Sequence, residues 1–179
     1  MYGMVNQAVK GMITENLGKE TWMEFCQRLK LDPSGFSSFE QYDDKITGDL
    51  VGLVCEKTNL SPAAVLEDFG KYWIGYAKKS EYKSVLTSFA SSPVELIESL
   101  DSLHSRLQLS FEHLKAPSFW VTRISDNEIK VHYKSQRNMG LEHFVVGLLK
   151  GIFDLFEQQC QVQMGEASQG ESAVFIVQY

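Results

Sequence analysis

A histidine on an apolar helix stripe is the first residue of this chain that can do chemistry. Ile97, Leu100, His104 and Leu107 recur at helical spacing, which puts the His104 imidazole among aliphatic side chains. A ring so placed has two readings. It can be a core histidine whose nitrogens find backbone partners, the commoner outcome for a lone case. It can also hold a neutral ring nitrogen toward an apolar cavity, as an axial ligand to haem iron does while aliphatic groups pack on the porphyrin. A second motif bears on the choice. Tyr133, Ser135 and Arg137 stand at i, i+2 and i+4 of a β-rich run and so project from one face of a strand. The guanidinium supplies a charge-assisted bond to a carboxylate, and the phenol and alcohol add hydrogen bonds to the remaining oxygens. Haem carries two such carboxylates. Alone, an alternating polar row is more often the solvated face of a strand; joined to His104, it points to haem. The chain has no Cys-x-x-Cys-His motif, which fits a non-covalent cofactor.

The elements that must position these residues change character near Pro117. Before it, helices follow one another. Tyr2 to Leu17 is closed by Gly18, Thr21 to Leu31 stops before Pro33, and Gly48 to Lys57 follows. Pro62 to Lys78 has Ser61 as N-cap and Pro62 in the first turn, and Ser92 and Pro93 repeat that pairing for a helix reaching Leu109. After Pro117, Phe119 to Ser125 and Ile129 to Ser135 read as a hairpin bridged by Asp126, Asn127 and Glu128. Leu141 to Gln159 is a long apolar helix, and Gln161 to Gly165 and Ala173 to Gln178 are strands around a polar loop. The fold class expected is α+β: a helical N-terminal part and a C-terminal antiparallel sheet with one long buried helix. A single domain over 1–179 is expected; the family resemblance given below implies a helical part over about 1–63 and a part over about 64–179 that encloses the haem, which lies between helices and sheet.

Composition narrows the partners. The 179 residues are 44% hydrophobic and 22% charged, with four Pro and 13 Gly, as in a folded globular chain. Seventeen Lys and Arg against 23 Asp and Glu give a formal charge of −6, which repels nucleic acid phosphates and anionic lipid. No apolar stretch approaches the roughly 18 residues of a membrane span, and Met1 to Lys10 has no signal-peptide pattern. The protein reads as soluble and cytoplasmic. Cys26, Cys55 and Cys160, odd in number and set in apolar helical patterns, suit reduced buried thiols. No phosphate loop, His-Glu-x-x-His, Gly-x-Ser-x-Gly or zinc spacing is present, and the acidic stretch Glu40 to Asp49 reads as loop and cap residues. An enzyme is not expected.

Together, Leu100-Asp-Ser-Leu-His104-Ser-Arg-Leu107, the Ala116-Pro117-Ser118-Phe119 turn and Tyr133-x-Ser135-x-Arg137 resemble the haem nitric oxide/oxygen-binding (H-NOX) family. The similarity runs from Met1-Tyr-Gly-Met-Val-Asn6 to Gly140-Leu-Glu-His-Phe-Val-Val-Gly147 and looks close to the haem domain of the soluble guanylate cyclase β subunit. The resemblance implies one non-covalent haem b, His104 as the proximal iron ligand, and Tyr133, Ser135 and Arg137 on its propionates. It also implies that Pro117 presses on the porphyrin while Val5 touches the other face. In oxygen-binding members a tyrosine donates to the gas; the matching position here is Phe144, which cannot donate. Val5, Val9, Trp73, Ala77 and Leu148 complete the distal pocket implied, mostly apolar save for the Trp73 indole N–H. The neighbouring Tyr76 and His143 reach it only if the helix phase differs by one residue. Asn138-Met139 makes the chain one residue longer than the cyclase pattern before Gly140.

The function so implied is a sensor selective for NO over O2, with NO and CO as ligands. Release of the iron–histidine bond would relax the haem and the Pro93 to Leu109 helix. No cyclase or kinase domain is expected within this length, so the output is expected to be another chain. Likeness to stand-alone bacterial members implies a histidine kinase or a cyclic-di-GMP enzyme. The competing class is a haem-free domain binding an apolar small molecule or a protein partner. Colour separates the two, since a haem protein is red with a strong Soret band.

Overall fold

The structure, a computed structural model, describes residues 1–79, 90–110, 114–137 and 140–179. Asn138 and Met139 lie outside the described residues. Among those described, six helices and four strands follow in order. These are α1 (Gly3–Leu17), α2 (Lys19–Leu29), α3 (Asp44–Thr58), α4 (Pro62–Lys79), α5 (Pro93–Ser110), β1 (Ser118–Ser125), β2 (Glu128–Lys134), α6 (Glu142–Leu155), β3 (Gln161–Gly165) and β4 (Ala173–Gln178). The strands form one antiparallel sheet of order β1-β2-β4-β3, so the α+β class expected from the sequence is found.

Local chemistry sets most helix ends. Gly18 closes α1 at φ 90°, a left-handed value that favours glycine. Ser61 and Ser92 cap α4 and α5: the Ala64 and Glu95 N–H groups donate to their hydroxyls at 3.2 and 3.3 Å. Of the boundaries that differ from the sequence reading, three bear on the site. Helix α3 begins at Asp44 rather than Gly48, because Asp43 Oδ1 accepts from the Lys45 N–H at 2.9 Å and starts the helix a turn earlier. Helix α6 ends at Leu155 rather than Gln159, where Glu157 turns to φ 58°. Cys160 is therefore in the connection to β3 and not on a helix. Strand β2 stops at Lys134, so Ser135 and Arg137 leave the ladder.

The buried side chains fall into a helical core around Val9, Phe25, Leu50 and Phe69, and a second core that joins α5 and α6 to the sheet through Ile97, Leu149, Val131 and Phe175. Helix α5 packs on β1 and α6 on β3, so two helices rather than one cover the sheet. Helices α4 and α6 lie very close. A Cβ on Gly147 would stand 1.8 Å from the Glu67 carbonyl oxygen, and one on Gly70 2.1 Å from that of Phe144. Between the cores, Tyr2 and Met4 form a small third cluster, and Trp73 packs against all three. The cleft opens there.

Candidate functional site

Helix α5 presents His104 to this cleft. Its Nδ1 lies 3.0 Å from the Pro117 carbonyl oxygen, and since a carbonyl only accepts, Nδ1 carries the proton. A neutral imidazole then keeps its lone pair on Nε2. Burial lowers the His104 pKa, outweighing the Pro117 hydrogen bond and the Asp101 charge, which raise it. Asp101, one turn earlier on α5, accepts from the Phe119 N–H at 2.6 Å. The helix therefore grips the entry to β1 at two points, Pro117 before the strand and Phe119 within it, and the His104 ring also lies 6.1 Å from the Phe119 ring centroid.

The polar row lines the same cleft. Tyr133 is 2% exposed at the end of β2, with its ring 5.2 Å from that of Phe119. Burial raises its pKa, against a lowering hydrogen bond from the Ser135 hydroxyl, so the phenol is held protonated as a donor. Ser135 and Arg137 do not reach the cleft by strand alternation. The Arg137 N–H donates to Ser135 Oγ at 3.0 Å, a local side-chain turn that brings the guanidinium round. Ser172 ties this segment to β4: its N–H donates to the Tyr133 carbonyl at 2.8 Å, and its Oγ accepts from the Ser135 N–H at 2.9 Å.

The remaining wall is mostly apolar. Val5, Trp73, Pro117, Phe144 and Leu148 line the cleft together with His104 and the polar row. Phe144 packs on Phe69 with ring centroids 5.1 Å apart. Val9 and Ala77 do not line it. Only the first turn of α1 meets the cleft, and Val9, 1% exposed, is already in the helical core. Ala77 lies one turn past Trp73 and packs in the sheet-side core. Tyr76 and His143 are also outside the lining, Tyr76 stacking on Trp73 at 6.0 Å. Sequence reasoning placed Leu100 and Leu107 beside His104, and both line the cleft; it missed Tyr2, Met4, Leu66 and Phe69, which line it too. Leu66, Phe69 and Trp73 fall at i, i+3 and i+7 of α4, a helical stripe that could have revealed them.

The donor set fits haem. One imidazole with a bare nitrogen faces apolar walls, and a guanidinium, a phenol and a hydroxyl gather where carboxylates would lie. Fold and cleft thus define a protein class: an α+β domain that encloses a cofactor with an apolar body and an acidic edge. The family model described as haem-NO-binding matches residues 2–164, and the chain belongs to this family of haem-binding, gas-sensing domains. It is the family whose motifs the sequence carries.

Soluble guanylate cyclase 89Db of Drosophila melanogaster is 24% identical over 152 residues, 85% of this chain and 23% of that protein. The guanylate cyclase soluble subunit beta-2 of Rattus norvegicus is 39% identical over 89 residues, 50% of this chain and 13% of that protein. The chain spans less than a quarter of the length of these curated relatives. Among solved structures, the H-NOX protein from S. oneidensis in the Fe(II)NO ligation state has a TM-score of 0.86 at 18% identity, covering 99% of this chain and 98% of that one. The Fe(II) unliganded H-NOX protein from K. algicida has a TM-score of 0.83 at 18% identity, covering 99% and 96%. These likenesses show the shared fold. Among the described residues no helix is long and apolar enough to cross a membrane.

Proposed function

We propose that this chain senses NO through a non-covalent haem b held by His104, discriminates against O2, and signals to a separate effector protein. The observation that carries this reading is His104 itself, its Nδ1 fixed on the Pro117 carbonyl at 3.0 Å and its ring lining an apolar cleft. When bound, the haem supplies a ferrous iron that takes NO or CO as a ligand. Every other part of the mechanism belongs to the chain.

His104 Nε2 is the protein ligand, made a better donor by the hydrogen bond at Nδ1. Arg137, Tyr133 and Ser135 would hold the cofactor's carboxylates, and Pro117 and Val5 would pack against its apolar body. Phe144 and Leu148 keep the gas side apolar. Dioxygen is retained where a hydrogen-bond donor stands beside it, whereas NO needs none, so a phenylalanine there favours NO.

Signalling follows from the attachment of His104 to α5. Were NO to weaken the bond from His104 to the group it holds, α5 would lose that restraint and keep its packing, the His104 Nδ1–Pro117 bond, the Asp101–Phe119 bond and the Glu98–Arg123 ion pair. The helical part, about 1–63, would shift against the part over about 64–179 and change a surface that the effector reads. A histidine kinase or a cyclic-di-GMP enzyme is the effector proposed, in the cytoplasm, where thiols such as Cys26 stay reduced. The ferrous absorption spectrum with and without NO, CO and O2 tests the reading. A colourless protein that takes up no haem overturns it, and so does an effector whose activity is the same with the ferrous and NO-bound forms.

A further inference from the structure

Arg137 has a partner in the helical part. Its Nε–H donates to Asp44 Oδ2 at 3.1 Å, across 93 residues of sequence, and its Nη1 donates to the Lys115 carbonyl at 2.7 Å. The other oxygen of the same carboxylate takes the Met1 α-ammonium, which also donates to the Tyr42 carbonyl at 2.6 Å. Met1, Lys115 and Arg137 line the cleft, and Asp44 is bonded to two of the three. The Arg137 side chain is only 16% exposed, so its charge is placed by the protein more than by water.

A guanidinium presents five N–H groups in one rigid plane. With Nε bonded to Asp44 and Nη1 to the Lys115 carbonyl, the plane is fixed, and its remaining N–H groups keep one direction relative to the cleft. Burial by itself would raise the Asp44 pKa, but the hydrogen bond from the amino terminus and the Arg137 charge carry it below its ordinary value, so the carboxylate is ionised.

We propose that Asp44 is the positioning residue of the carboxylate clamp: from α3 it orients Arg137 for gripping a cofactor carboxylate, and so links that grip to the seating of the helical part. This rests on the reading of Arg137 as a propionate ligand. By linkage, a carboxylate held in the cleft steadies the Asp44–Arg137 contact, and a shift of α3 loosens the grip.

The test has two arms on the full chain. In the haem-free protein, ¹⁵N spectra should show a slowly exchanging Arg137 Nε–H, assigned with Arg137→Lys, that exchanges markedly faster in Asp44→Asn, whose amide oxygen still accepts but carries no charge. An exchange rate unchanged in Asp44→Asn overturns the proposal. In the loaded protein, Asp44→Asn should release haem to apomyoglobin roughly fivefold faster, within the range of coupling between contacting residues, and should add nothing in an Arg137→Ala background. Equal acceleration in both backgrounds also overturns it. Arg137→Ala releasing haem no faster than wild type overturns instead the reading of Arg137; the spectral arm tells the two failures apart. If Asp44→Asn does not fold, Asp44→Glu, which keeps the charge and moves it by one methylene, serves both arms with smaller changes of the same sign.

Discussion

The Nδ1 of His104 and the carbonyl oxygen of Pro117 lie 3.0 Å apart, and this one contact puts the proton on Nδ1 and the lone pair on Nε2. It also makes the two residues a unit. Pro117 has no N–H to offer, but its carbonyl fixes the imidazole tautomer, while its ring lines the cleft that His104 faces.

Removing the imidazole should therefore open a site rather than abolish the fold. His104→Gly is expected to lose the ferrous spectrum of the wild type and to regain it when free imidazole fills the space. An absorption titration with imidazole checks this. A ferrous spectrum unchanged in His104→Gly would show that another residue ligates the iron.

The same burial gives the haem-free protein a pH dependence. The His104 pKa is lowered on folding, so the unfolded chain takes up this proton first as pH falls. Stability from neutral His104 is full above the ordinary histidine value of about 6.5 and is lost as pH falls through the lower folded value. Urea midpoints between pH 7 and 5 should decline, and His104→Leu should flatten that decline. The lowered Asp44 contributes in a separate window, its stability lost only below the ordinary carboxylate value of about 4. A pH profile identical in His104→Leu and wild type would contradict the assignment.

Packing behind the cleft can be tested through Gly147. An alanine in an exposed helix interior gains up to about 1 kcal/mol over glycine, but here the added Cβ would meet the Glu67 carbonyl oxygen at 1.8 Å. Overpacking against backbone should win and cost about 1–3 kcal/mol, read by urea denaturation. Because α6 also carries Phe144 and Leu148, Gly147→Ala is expected to alter CO recombination rates as well. A stability equal to or above wild type would mean that the helices separate at no cost.

How much of this was legible in the sequence depended on the distance over which each signal acts. The stripe of Ile97, Leu100, His104 and Leu107 is a local pattern, and the structure buries Ile97 and Leu100 beside the cleft histidine. The Ser-Pro helix starts are equally local, and both caps are made. Asp44 was not legible: in sequence it is one acid among several between Glu40 and Asp49, and its role is set by a guanidinium 93 residues away. The places of Val9 and Ala77 depended on how far each helix runs past the cleft, a tertiary quantity that helical period alone does not contain. The exit of Ser135 and Arg137 from β2 was hidden too, because a serine turn keeps the same side chains together that strand alternation would have aligned.

Gas selectivity gives the last expectation, and Phe144 carries it. The ring lines the cleft, is fixed against Phe69 at 5.1 Å, and has no group to donate. Trp73 also lines the cleft and carries an indole N–H, so the absence of a donor at Phe144 is tested against a real competitor. The ferrous protein is expected to bind NO and CO and to show no persistent oxygen spectrum in air. Phe144→Tyr adds one hydroxyl to a ring already held in place, and a single hydrogen bond contributes about 0.5–1.5 kcal/mol, roughly two- to tenfold in affinity. Oxygen dissociation in Phe144→Tyr should slow by about that factor while NO binding stays as in wild type. A stable oxygen spectrum in the wild type would assign the donor to Trp73, and Trp73→Phe would then have to remove it. If neither substitution changes oxygen binding, selectivity resides elsewhere than in hydrogen bonding on this wall.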